Sequence, residues 1–430
     1  MTATDPHRTI QAVWRIESPR LIAALARMMK DVGRAEDLAQ DALLAALEEW
    51  PRSGVPEKPG AWLMTVAKRR AIDEIRRTQR AAPKHEALGR EMDAQQEALV
   101  DALDASIDEE IGDDLLRLIF VACHPVLSAE ARVALTLRLL GGLTTSEIAR
   151  AFLVPEATVQ QRIVRAKKAL AEARVPFEVP RGIDRAARLS SVLEVIYLIF
   201  NEGYTATAGE DWLRPALCDD ALRLGRILSG LAPEEPEVHG LVALMEIQAS
   251  RSRARVDPRG EPILLLDQNR ALWDHLLIGR GLAALGRAEE LGGSQGFYTL
   301  QAAIAACHAR ARTAEATDWE RIVTLYDTLV RRAPSPIVEL NRAMAVAMAR
   351  GPEAGLVLVD ALRDEPSLKA YHLLPGARGD LLQKLGRMDE ARREFEHAAS
   401  LTRNARERDL LLSRAKAAGL AASKDKGDVI

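Results

Sequence analysis

The sequence predicts an all-α protein, on three observations. Aromatic residues make up only 4% of the 430 residues while Ala, Leu, Arg and Glu dominate, a composition that favours helices over a sheet. Apolar residues recur at spacings of three and four through most of the chain, which is the period of a helix with one buried face. Breakers fall between those stretches: Gly33, the segment RSGVPEKPG (52–60), Gly141-Gly142, Pro334 and Pro366. With 48% hydrophobic residues the chain can fill several cores. The net charge of -3 does not advertise nucleic acid, so charge has to be read segment by segment. Cys123, Cys218 and Cys307 lie far apart and match no metal-ligand spacing, although Cys123 adjoins His124; buried reduced thiols are expected. The start MTATDPHRTIQ lacks a signal-peptide pattern, and no apolar run approaches the ~18 residues of a membrane span, so a cytoplasmic protein with no membrane partner is expected.

Taken in order, Leu21, Leu25, Met28 and Met29 mark one helix and Leu38, Ala42, Leu43, Ala46 and Leu47 the next, with Gly33 between them. The second opens with Glu36-Asp37, favourable near the positive end of a helix dipole. After Trp50-Pro51 and the breaker-rich loop, a third helix runs from Ala61 to about Arg80. Its cations Lys68, Arg69, Arg70, Arg76, Arg77 and Arg80 face only Asp73 and Glu74, while Trp62, Val66, Ile72 and Ile75 supply its core side. Clustered cations of this kind track phosphate by releasing counterions, and a merely solvated basic helix fits equally. From Glu91 to Asp114 the sign flips to an acidic block without a basic residue, which self-repels and reads as a linker. A helix to Cys123 and another from Ser128 to Leu140 follow, with Ser128 as N-cap and Gly141-Gly142 as stop.

The segment Leu143 to Leu170 reads as a helix-turn-helix. Thr144 with Glu147 three residues on forms a capping box, and Ile148, Ala149 and Phe152 give a short apolar face. Pro155 cannot continue that helix but suits the first turn of another. There Val159, Ile163, Ala166 and Leu170 form a buried stripe, and Gln160, Gln161, Val164, Arg165 and Lys168 occupy the opposite face. Glutamine and arginine can bind base edges bidentately, Val164 can touch a thymine methyl, and lysine can hold phosphate. An ordinary surface hairpin with a basic, solvated face satisfies the same spacing.

The order of parts resembles that of an extracytoplasmic-function RNA polymerase sigma factor of the sigma-70 family. AEDLAQDALLAALEEWP (35–51) is similar to the family's polymerase-clamp-binding region, PGAWLMTVAKRRAIDEIRR (59–77) to its segment that opens and reads the -10 element, and 127–170 to its -35-binding domain. The resemblance covers residues 10 to 178. It implies polymerase contacts at Glu36, Asp37 and Gln40; -10 contacts at Trp62, Lys68, Arg69, Arg70, Asp73, Arg76 and Arg77; and -35 contacts at Gln160, Gln161, Arg162, Val164, Arg165 and Lys168. Arg69 stands where many members carry Asn, so no -10 base preference is carried over. The implied partners are core RNA polymerase, at its clamp and flap, and promoter DNA, with no cofactor, metal or catalytic residue.

More than half of the chain remains beyond this resemblance. PFEVPRGIDR (176–185) reads as a linker, Leu189 to Phe200 as a strongly apolar helix, and NEGY (201–204) as its end, with Gly203 as C-cap or as part of a ligand pocket. Beyond Gly296 amphipathic helices alternate with breaks at a period in the low thirties, and 381–401, with Gly386 at a turn and Ala391 and Phe395 below it, is similar to half of a tetratricopeptide repeat. Such pairs stack into a superhelix whose groove takes a protein or peptide. The expected domains are 1–85 (region 2), 86–112 (acidic linker), 113–177 (region 4), 178–295 (helical extension), 296–415 (tetratricopeptide-like repeats) and 416–430 (disordered tail). The whole resembles the sigma-factor subgroup with a fused tetratricopeptide-like extension, thought to act in place of a separate anti-sigma partner. A stand-alone helix-turn-helix regulator is the alternative. The sequence shows no nucleophile-base pair, glycine-rich phosphate loop or metal cluster, and His239, His372 and His397 are scattered, so no enzyme is expected.

Overall fold

The computed structural model describes residues 6–81 and 107–427. The acidic linker expected at 86–112 falls outside the described residues up to position 106. The chain is all-α and divides into two compact units, Met1–Ile196 and Tyr197–Ile430.

In the first unit, α1 (Pro6–Met29), α2 (Val32–Ser53) and α3 (Pro59–Ala81) pack on one another. The break between α1 and α2 lies not at Gly33 but at Lys30, which takes a φ of 53°, and Asp31. The Asp31 carboxylate accepts from the amides of Gly33 (2.7 Å) and Arg34 (3.1 Å), capping α2. Leu21, Leu25, Leu38, Ala42, Ala46 and Trp50 are buried. So are Leu63, Ala67 and Ala71, and these form the core face of α3. Trp62, Val66, Ile72 and Ile75, expected there, are half-buried at its margins, because the two alanines let α3 approach its neighbours closely. Trp62 meets Trp50 edge-on with ring centroids 5.4 Å apart.

Next come α4 (Ile107–Ala122), α5 (Ala129–Leu139), α6 (Thr145–Phe152) and α7 (Glu156–Glu172). Asp114, which the sequence groups with the acidic linker, is 2% exposed and ties α4 to α1. Arg27 Nε lies 3.1 Å from one of its oxygens and Arg117 Nη1 2.6 Å from the other. Burial raises the Asp114 carboxyl above the usual range, against the pull of these two guanidinium groups. Ser128 caps α5, accepting from the Ala131 amide at 3.3 Å, and Gly142 turns the chain with a φ of +67°. Cys123 is buried against Thr136, and burial pushes its thiol up to about 11.

The helix α8 (Gly182–Tyr204) begins in the first unit. Arg188 donates to the Phe120 carbonyl (2.8 Å), Ser191 to the Cys123 carbonyl (2.7 Å), and Arg132 pairs with Glu194 (3.0 Å). These bonds fasten 182–196 onto α4 and α5, so the first compact unit extends past the boundary expected at 177. NEGY does not cap α8, which continues to Tyr204. A Cβ on Gly203 would lie 2.7 Å from the Cys218 amide nitrogen, so the glycine serves a close approach of the following helix.

The second unit continues with α9 (Pro215–Leu231), α10 (Pro236–Ala249), α11 (His275–Glu290), α12 (Phe297–Arg310), α13 (Trp319–Arg332), α14 (Pro336–Arg350), α15 (Pro352–Asp360), α16 (Leu373–Lys384), α17 (Met388–Leu401) and α18 (Ala405–Gly427). Most helices pack on their chain neighbours, as stacked helix pairs do. Gly386 turns the α16–α17 connection at φ +75°, and Ala391 and Phe395 are fully buried beneath it. A two-residue parallel pairing joins β1 (Ala208–Gly209) to β2 (Arg403–Asn404). The tail expected to be disordered from 416 is instead helical to Gly427, because Leu411, Ala415, Ala418 and Ala422 recur at helical spacing and are buried.

Candidate nucleic-acid interface

The turn between α6 and α7 is fixed by local chemistry. Both bonds of the capping box form: Thr144 Oγ1 accepts from the Glu147 amide (3.1 Å), and Glu147 accepts from the Thr144 amide (2.8 Å). Leu153 ends α6 in the left-handed conformation at φ 50°, and Pro155 precedes α7. Val159, Ile163, Ala166 and Leu170 are buried, which turns the opposite face of α7 outward. Gln160, Gln161, Val164, Arg165 and Lys168 are all exposed there, with Val164 at 63%. Arg162 is half-buried beside them. An apolar side chain so exposed, flanked by amide and guanidinium donors, suits the edge of a base pair better than a core.

On α3 the exposed stripe is Arg69, Asp73, Arg76 and Arg77, at spacings of four, three and one. Arg70 turns away to pair with Asp41 on α2 (3.4 Å), Lys68 is half-buried, and Trp62 is held against Trp50. The predicted basic helix thus divides into cations that face solvent and one, Arg70, that braces α2.

The three residues expected to contact a polymerase are not equivalent. Asp37 is well exposed on α2. Gln40 is half-buried and donates to Glu36 at 2.6 Å. Glu36 is only 2% exposed and is engaged by two cations from the helix-turn-helix domain: Arg138 Nε at 2.6 Å and Lys167 Nζ at 2.5 Å. Burial alone would raise the Glu36 carboxyl, but these charges and hydrogen bonds outweigh it and hold the group below the usual carboxylate range. A further cross-domain pair joins Arg15 to Glu147 at 2.8 Å. The outward face of α2 is instead Asp37, Asp41, Leu44 and Glu48, with Leu44 57% exposed. Sequence reasoning missed Asp41 and Leu44, though their spacing from Asp37 by four and seven placed them on its face.

Among the described residues no group of His, Cys, Asp and Glu is arranged to hold a metal ion, and no helix is long and apolar enough to cross a membrane.

Three family models match parts of the chain: Sigma-70 region 2 over residues 14–81, Sigma-70 region 4 over 117–170, and a family of unknown function, DUF6596, over 188–289. An uncharacterized protein of Rhizobium meliloti is 46% identical over 391 residues, covering 90% of this chain and 91% of its own length. The ECF RNA polymerase sigma factor SigK of Mycobacterium ulcerans is 30% identical over 156 residues, covering 35% of this chain and 78% of its own. The probable ECF RNA polymerase sigma factor SigI of Mycobacterium tuberculosis is 28% identical over 175 residues, covering 40% and 58% respectively. No solved structure matches.

Proposed function

The chain belongs to the extracytoplasmic-function sigma factors of the sigma-70 family, which act in transcription initiation, and from that premise we propose how its surfaces divide the work. The exposed α2 face of Asp37, Asp41 and Leu44, with Gln40 at its margin, docks on core RNA polymerase, where carboxylates pair with basic side chains. The stripe Arg69, Asp73, Arg76 and Arg77 follows the opened -10 strand. Gln160, Gln161, Val164, Arg165 and Lys168 read the -35 element in the major groove, with Arg162 on adjacent phosphate. The role is non-enzymatic, and the helical extension controls it, with a protein or peptide partner in the repeat groove. The observation that carries this reading is the pair of outward-facing basic surfaces, on α3 and α7, each held by its own buried core.

Promoter geometry adds a requirement. Elements named for positions -10 and -35 lie about 25 base pairs apart, roughly 85 Å at 3.4 Å per pair. Here α7 reaches α2 through Lys167, and α3 packs on α2. Bridged by one lysine side chain and by direct packing on α2, the two reading faces lie well short of that span. Reading both elements therefore requires the Glu36 contact to open. The arrangement described is a resting form, and its Arg138–Glu36–Lys167 clasp is a brake on Glu36 itself.

Run-off transcription with core polymerase tests the assignment. Arg165→Ala should weaken use of a promoter with its native -35 element by about 1–3 kcal/mol. An unchanged preference across a -35 mutation series would remove Arg165 from the readout, and full core affinity in Asp37→Ala would remove the α2 face. The extension's role is read by comparing the full chain with one ending at Ile196, which keeps the α8 bonds to α4 and α5 that an end near Pro180 would strip. Greater activity in the short chain makes the extension a brake, and loss of activity with the fold intact makes it a working part.

A further inference from the structure

The second unit contains a cavity of about 880 Å³, within the range of small-molecule sites. Its wall is built from the β1–α9 loop, α9, the end of α10, the segment that follows it, the start of α11 and the start of α18. Of the residues lining it, only Arg406 lies outside 188–289.

The walls are firmly held. Glu202 on α8 is buried and binds both Arg214 and Thr207 Oγ1 (2.9 Å), fixing the loop at both ends. Arg255, also buried, donates to the Tyr204 carbonyl and to Thr205 Oγ1 (3.0 Å), with its guanidinium 3.5 Å above the Tyr204 ring. Asn404, 1% exposed, clamps the same loop to the start of α18 by donating to the carbonyls of Ala206 (3.1 Å) and Asp211 (3.0 Å). A loop tied down by three buried polar side chains is a preformed wall.

The charges on these walls come from different chain segments. Glu210, Asp211 and Asp219 all come from the loop and α9, whereas Arg253, Arg280 and Arg406 come from three other segments. Among the described residues, none of these six side chains makes an ion pair or hydrogen bond, although Asp219 lies within the field of Arg226. Two further charged groups of the lining are already used: Arg226 pairs with Glu246 (2.8 Å), and Asp274 caps α11. The apolar part of the lining is Leu213, Leu222, Val256 and Leu277. Opposite charges that share a cavity without meeting leave both fields available to a guest, and a guest carrying both signs satisfies both walls at once.

We propose that this cavity is a binding site for a zwitterionic ligand of the amino-acid or short-peptide class, its ammonium toward Asp219 and the acidic loop, its carboxylate toward Arg280 and the arginine wall. The apolar strip takes an aliphatic side chain. The site is independent of the DNA-reading surfaces and stands whether or not their assignment holds.

The test uses the full-length chain with the twenty L-amino acids and the dipeptide Leu-Leu as probes, by thermal shift and titration calorimetry. At least one zwitterion should bind at a single site and raise the melting temperature. The N-acetyl and the C-terminal amide forms of that probe should each bind at least tenfold more weakly. Arg280→Gln and Asp219→Asn, both at exposed positions, should each weaken binding to a similar degree while leaving the unliganded melting temperature unchanged. A source in the terminus of a larger partner would show as binding of Leu-Leu but of no single amino acid, and this too supports the site. No binding by any probe, equal binding of the capped forms, or full binding by both variants would overturn it.

Discussion

Replacing Arg138 and Lys167 together, as Arg138→Gln/Lys167→Met, removes both cations that hold Glu36 and also releases Asp37, which lies 3.8 Å from Lys167 Nζ. In the closed form Glu36 would remain buried with Gln40 beside it and no cation as partner. Removing the partners of a buried charge costs about 3–5 kcal/mol. Arg138 and Lys167 are themselves 18% and 21% exposed, so the lower end applies, about 3 kcal/mol. At 1.36 kcal/mol per decade, the closed-to-open ratio should fall by roughly a hundredfold. Spin labels at Arg69→Cys and Gln161→Cys, both exposed, report the separation of the two reading faces, since the native cysteines are buried. The double variant should populate long distances and bind core polymerase more tightly, by up to the same factor if the closed form dominates at rest. Unchanged distances and affinity in the double variant, with weaker core binding in Glu36→Gln, would refute the clasp and return Glu36 to the docking surface. The pH dependence has a definite sign. Because the Glu36 carboxyl lies below its usual range in the closed form, the contact is fully present above that range and is lost as pH falls through the lowered value.

Two further outcomes follow from the second unit. Gly203→Ala should destabilise it by about 1–3 kcal/mol in urea unfolding, because the new Cβ would sit 2.7 Å from the Cys218 amide nitrogen and 2.9 Å from its sulfur. An unchanged midpoint would mean that α9 moves aside freely. His308 is held neutral by burial and by the nearby Arg251 and Arg270, which bring it down to about 4 from an ordinary 6.5. The unfolded chain therefore binds a proton first, and the stability that the neutral ring supports is complete above 6.5 and lost as pH falls toward 4. His308→Phe, whose ring can keep the edge-on contact to Trp319, should flatten the pH dependence of the melting temperature across that window, and an unaltered slope would assign it to other groups.

The elements of this protein were written locally. The Thr144–Glu147 box, Pro155, the stripe Val159 to Leu170 and the turn at Gly386 are short-range patterns, and each forms because its capping bonds and its helical period involve residues within a few positions of one another. The order of basic helix, acidic block and helix-turn-helix was likewise legible, and with it the family. What charge patterning could not express was which member of a set of like residues turns inward. Glu36 and Asp37 are adjacent and chemically alike, yet one is enclosed by Arg138 and Lys167 while the other stays largely exposed, with Lys167 Nζ no nearer than 3.8 Å. Asp114 ends an acidic run but is a buried anchor for Arg27, and Arg70 braces Asp41 while Arg69 beside it faces solvent. Gly203 looked like a stop signal and is a contact point for a helix that begins after it. In each case the deciding partner lies far along the chain or on another helix, so the energy that fixes the side chain exists only once the helices have packed. Local sequence determined the helices and their general chemistry; tertiary packing decided which charges were spent on the fold and which remained for partners.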